Sequence, residues 1–167
     1  MTKFEQLLDI AEKENIIIKF VDEIPEVFAE ALYISKFGIR MILMANILKN
    51  NTIRMTEVLA EELGHHFTSM GDNIEPKNYF DKVNIDKCEA KALRWACNFL
   101  VPKDELIDEL RKRPTSIDEL ADGLSVSRDI LMQSFYYLSL NNEYLQIEDA
   151  EFLVLSNYPT LYIYNKF

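Results

Sequence analysis

Glu61, Glu62 and His65 have the types and spacing of a hydrolytic metal site. Positions i and i+4 of a helix lie one above the other, so Glu61 and His65 can point at a single ion. The residue after the first ligand is then placed to deprotonate a water, and here that residue is Glu62. Such helices usually open on a His, where this chain has Glu61. A carboxylate oxygen is a legitimate zinc ligand, so the chemistry survives the exchange while the motif loses specificity. The same segment reads equally well as an exposed acid–imidazole pair, and on this helix alone both readings stay open. His66 offers a rival register with Glu62, but Leu63 would then fill the general-base slot, so His66 reads as a packing or supporting residue.

A second acidic residue sits in a telling place. With Glu89 set at zero on a helix of about 100° per residue, Ile85, Ala92, Leu93, Ala96 and Leu100 fall within about 60° of it. Lys87, Lys91, Arg94 and Asn98 gather on the other side. Glu89 is therefore expected in the middle of a buried stripe, where an unpaired carboxylate is costly and a divalent cation removes the cost. A core Glu paired with Lys, Arg or a buried hydroxyl is the competing explanation.

These residues need two helices to carry them. Residues 52–69 read as one, capped by Asn51 or Thr52, with Leu59, Leu63, Phe67 and Met70 on the core face and Glu61 and His65 opposite. Residues 84–100 read as the other, stopped by Pro102. A helix over 2–14 and three strands precede them: 15–20, then 31–36 and 39–45 as a hairpin around Phe37-Gly38. Gly71-Asp72-Asn73 ends the first of the two helices, and Pro76 and Asn78 continue a loop.

At these residues the chain resembles the ImmA/IrrE family of metallo-endopeptidases. Val58-Leu59-Ala60-Glu61-Glu62-Leu63-Gly64-His65-His66-Phe67 is similar to the family's His-Glu-x-x-His helix. Glu89-Ala90, Trp95-Ala96 and the closing Leu100-Val101-Pro102 are similar to the ligand helix that follows it. The resemblance covers about residues 30–140 and implies His65 and Glu89 as ligands and Glu62 as base. Glu61, the departure from the pattern, is the expected third ligand. Two carboxylates and one imidazole form a harder donor set than two imidazoles and one carboxylate, so zinc is the expected metal and manganese its competitor.

The rest of the chain bounds the reading. Its 167 residues, 49% hydrophobic, suffice for a packed core, and four glycines with five prolines favour helices over a many-turned β-sandwich. The expected fold is α+β and mainly helical: a zincin-like lobe with a small three-stranded sheet over 1–112, then a helix-turn-helix-like unit with a terminal β-hairpin over 113–167. A net charge of −10 disfavours nucleic acid and anionic membranes. Ser116-Ile117-Asp118-Glu119 reads as a capping box opening the helix-turn-helix-like stretch, with Ser125 at the usual turn-glycine position. Residues 113–140 hold only Arg113 and Arg128 against Asp118, Glu119, Asp122 and Asp129, too few cations for a DNA reader. Cys88 and Cys97 would lie roughly 13 Å apart on one helix, beyond disulfide reach. With no signal-type segment at the N-terminus, a cytoplasmic location is expected. The resemblance implies a protein substrate, a helix-turn-helix repressor of a phage or mobile element. A non-catalytic regulator that binds a partner protein on a peptidase scaffold is the rival expectation.

Overall fold

The computed structural model describes residues 1–25, 29–68 and 79–166. The loop features expected at Gly71-Asp72-Asn73, Pro76 and Asn78, and the core position expected for Met70, lie outside them. The chain forms two compact units, Met1–Ala96 and Cys97–Phe167.

In the first unit Thr2 caps helix α1 (Lys3–Lys13) with a reciprocal pair: its hydroxyl accepts the Glu5 N–H, and the Glu5 carboxylate accepts the Thr2 N–H. Strand β1 (Ile16–Val21) follows. Strands β2 (Ala31–Lys36) and β3 (Ile39–Ala45) form the expected hairpin. Both turn residues are left-handed, Phe37 at φ 53° and Gly38 at φ 77°, which matches the twist of two antiparallel strands. The sheet order is β1-β3-β2, with β1 parallel to β3, so β2 is an edge.

A 3-10 turn (Asn46–Asn50) leads into helix α2 (Thr52–Thr68), and Asn51 caps it by accepting the Arg54 N–H at 3.0 Å. α2 packs on α1, β2 and β3. Leu7 and Ala11 of α1, Ile42 and Met44 of β3, and Leu59 and Leu63 of α2 are buried to 1% exposure or less and form the core. Phe67, expected on that core face, is instead 42% exposed and stacks on Trp95 with ring centroids 5.1 Å apart. Its ring neighbours there are Trp95 and, edge to face at 4.8 Å, His66, which together leave much of it in solvent.

Helix α3 (Tyr79–Leu100) starts earlier than expected and carries the chain across the boundary between the units. Ala92, Ala96 and Leu100 are buried, while Lys87, Lys91, Arg94 and Asn98 are exposed, as the helical pattern requires. The Cys88 and Cys97 thiols on this helix are not joined in a disulfide.

The second unit adds helices α4 (Lys103–Arg111), α5 (Ile117–Leu124) and α6 (Arg128–Ser139) and a meander β4 (Tyr144–Glu148), β5 (Glu151–Val154), β6 (Tyr162–Asn165). The boundary expected at 112/113 falls inside this unit. The run Arg111-Lys112-Arg113 acts as a tie there: the Arg111 guanidinium donates to the Ile147 carbonyl at 3.1 Å, and Arg113 pairs with the buried Glu151. Ser116 caps α5 through the Glu119 N–H, but the Glu119 carboxylate turns to the N–H and hydroxyl of Thr115 instead of closing a capping box. Ser125 is left-handed at φ 56°, the turn position expected between α5 and α6. No helix among the described residues is long and apolar enough to cross a membrane.

Candidate metal centre

Glu61, Glu62 and His65 project from the middle of α2, whose other side is held by Leu59 and Leu63 in the core. The second helix reaches them because of Gly64. A Cβ built on Gly64 would stand 2.4 Å from the Ala92 carbonyl oxygen and 2.9 Å from the Ala92 Cα. Only a residue without a side chain lets the α3 backbone come this near, which is the return on the roughly 1 kcal/mol that a mid-helix glycine costs. The close approach lies one residue from His65 and three from Glu89.

It brings those two together: His65 Nε2 and Glu89 Oε2 are 3.4 Å apart. In a tetrahedral centre with metal–ligand bonds of about 2.0–2.2 Å, neighbouring donors are about 3.3–3.6 Å apart. The pair thus has the separation of two ligands on one ion, and in chemical type it is a zinc donor set. Glu89 differs from expectation in its surroundings. Its side chain is 63% exposed, because the buried stripe of α3 begins only one turn further on, at Ala92. Its place in the site rests on the His65 contact, not on a cost of burial.

Glu61 is half-buried beside Arg54, with Glu61 Oε1 3.8 Å from Arg54 Nη1. It does not converge with His65 and Glu89: among the described residues no group of three or more His, Cys, Asp or Glu side chains is gathered closely enough to hold an ion. His66 lies on the packing side, 11% exposed, with Nδ1 2.8 Å from the Tyr33 hydroxyl and Nε2 3.3 Å from Glu14. It fastens α2 to β2 and to the end of α1, the supporting part its register implied.

The electrostatics separate the four groups. Burial pushes the Glu62 carboxyl up to about 7; His65 and a hydrogen bond from the Tyr33 backbone N–H pull it down, and the Glu61 and Glu89 charges push the same way as burial. Burial also raises Glu61, against the pull of Arg54. For His65, burial works downward, but the hydrogen bond and charge of Glu89, joined by Glu62 and Glu61, keep the imidazolium above its ordinary range. Glu89 is correspondingly lowered, first by its hydrogen bond to His65.

A pH dependence follows for the metal-free protein. Between about 4.5 and about 7 the folded state keeps a proton on Glu62 that the unfolded chain has released, so this group makes stability fall as pH rises through that window. Thermal unfolding of metal-free Glu62→Gln is expected to show a shallower decline from pH 4.5 to pH 7 than wild type. Parallel curves would contradict the burial of Glu62.

Three contributors escaped the reading of the sequence. Gly64 carried a signal, being a glycine inside a helix with no turn to make. Arg54 also carried one, since it stands three and seven residues before Glu57 and Glu61, on one helical face. Tyr33 carried none, because its backbone contact with Glu62 depends on how the edge strand meets α2.

Comparison with known proteins adds one finding. A family model described as the IrrE N-terminal-like domain, of a peptidase family, matches residues 29–135, which span β2 to α6 and include all four groups. No curated protein and no solved structure matches the chain.

Proposed function

The chain belongs to the IrrE N-terminal-like peptidase family, and from that premise we propose that it is a metal-dependent endopeptidase. The observation that carries the proposal is the His65–Glu89 pair, at ligand separation, with His65 on the helix that also presents Glu62 and Glu89 on the next one. His65, Glu89 and Glu61 are the proposed donors for one divalent ion, zinc in the first place and manganese as its competitor. Such an ion supplies Lewis acidity to a water and to the peptide carbonyl. Glu62 takes a proton from the attacking water on a carboxylate oxygen and returns it to the leaving nitrogen as the C–N bond breaks, giving a carboxylic acid and an amine, which exchange a proton to leave as carboxylate and ammonium. In the metal-free protein burial holds that carboxyl up at about 7, and the charge of a bound ion would draw it toward the carboxylate form that a base needs. The Tyr33 backbone N–H favours its carboxylate form.

The proposed substrate is a helix-turn-helix repressor of a phage or mobile element, on the strength of the family resemblance. A protein substrate suits the second unit better than DNA does. Arg128 is tied to Asp118 at 3.1 Å, and Arg113 is tied to Glu151, so the two cations of the helix-turn-helix-like region are already engaged. Incubation of the purified full chain with candidate repressors, with products mapped by mass spectrometry, tests this. Cleavage at one internal bond, stopped by a chelator and restored by zinc, is expected. Cleavage that a chelator leaves untouched would rule out a metal mechanism. The rival reading, a non-catalytic regulator, draws on the distance of Glu61 from the pair, and it predicts partner binding with no cleavage of any candidate.

A further inference from the structure

Arg54 is the cation placed against Glu61, and no step above uses it. Its guanidinium divides its contacts unequally. Nε and Nη2 donate to one oxygen of Glu30 at 2.9 and 2.6 Å. Nη1 lies 3.8 Å from Glu57 Oε2 and 3.8 Å from Glu61 Oε1, within reach of charge attraction but beyond hydrogen-bond length. Glu57 is 2% exposed, so a cation here also serves a carboxylate removed from water. The firm end of the fork is Glu30, and the loose end spans Glu57 and the proposed ligand. Glu61 can therefore leave Arg54 without Arg54 moving.

We propose that Arg54 is a positioning residue that regulates the metal centre by competing with the ion for Glu61. Metal-free protein keeps Glu61 turned toward Arg54, away from His65 and Glu89, and ion binding has to win the carboxylate from the guanidinium. This also accounts for a site in which two donors are assembled and the third is held aside. The inference rests on the reading of His65 and Glu89 as ligands.

Zinc alone, titrated calorimetrically into chelator-stripped full-length protein, tests it. Arg54→Met is expected to bind zinc about tenfold more tightly than wild type, since a competing positive charge is gone. In a Glu61→Gln background the same change is expected to alter affinity less than about threefold, the part that acts through space. Arg54→Lys, which keeps the charge and loses the fork, falls between wild type and Arg54→Met. Damage to the fold weakens binding, so a gain in affinity cannot arise from it. Wild type that binds zinc with Arg54→Met no tighter overturns this inference and leaves the peptidase reading standing. An equal gain with and without Glu61 overturns it too. Zinc binding by Arg54→Met alone supports it in its strongest form. No binding by either protein overturns both the inference and the metal reading beneath it.

Discussion

Glu62→Gln is expected to lower the rate of proteolysis by about a hundred- to ten-thousand-fold, the range lost when a positioned general acid–base is removed. The change is nearly isosteric. Glutamine can still accept from the Tyr33 N–H through its amide oxygen. What goes is the ability to hold a proton and give it back. Zinc affinity should be little changed, because Glu62 is not one of the proposed donors, and stability at neutral pH should rise, since a half-buried carboxyl no longer has to ionise. That combination of lost turnover, kept metal and raised stability separates a general base from a residue that only supports the fold. Rates measured against a repressor substrate, with calorimetric zinc titration and thermal unfolding of the same preparation, provide all three readings.

Gly64→Ala is expected to damage both the fold and the site. Its new methyl carbon would sit 2.4 Å from the Ala92 carbonyl oxygen, and backbone on both sides leaves no flexible side chain to yield. α2 and α3 must separate, at a cost of about 1–3 kcal/mol for overpacking, set against a helix-propensity gain of about 1 kcal/mol. His65 and Glu89, next to the crossing, would move apart, so zinc affinity is expected to fall more than tenfold even where the variant folds, an order-of-magnitude figure for a lost ligand. Gly123→Ala is the matched control. Its Cβ would meet the Glu109 carboxylate, the far end of a side chain that can turn away, and the substitution is expected to be neutral or stabilising. Denaturant unfolding and zinc titration of both variants check the contrast. Similar losses at Gly64 and Gly123 would mean that the crossing is not what assembles the site.

Much of this was legible before any coordinates. Elements whose residues repeat with helical or strand period were read correctly, because burial of one face dictates the spacing: α1, the β2–β3 hairpin and the α2 and α3 segments are cases. So was the family, since the His65 helix and the Glu89 helix occur in the required order and context. What went wrong did so where a helix meets a particular neighbour. Periodicity placed Phe67 and Glu89 on buried stripes, but a stripe is buried only as far as its partner extends: the buried stripe of α3 runs from Leu100 back to Ala92 and stops short of Glu89, and Phe67 meets the rings of His66 and Trp95 yet stays exposed. The arginines of the run at 111–113 bind the β4 and β5 strands, contacts set by tertiary packing that leave no periodic trace in the sequence. Arg54 went unused because its meaning depends on Glu30, which sequence distance hides and the packing of β2 against α2 reveals.

The central claim is that His65 and Glu89 hold a divalent ion. Anomalous diffraction from crystals of the zinc-loaded full chain, collected on both sides of the zinc absorption edge, tests it most directly. One peak is expected, at bonding distance of about 2.0–2.2 Å from His65 Nε2 and from a Glu89 carboxylate oxygen, with Glu61 turned from Arg54 toward the same ion. A zinc-replete crystal with no peak there, and with His65 still paired to Glu89 by a direct hydrogen bond, would contradict it.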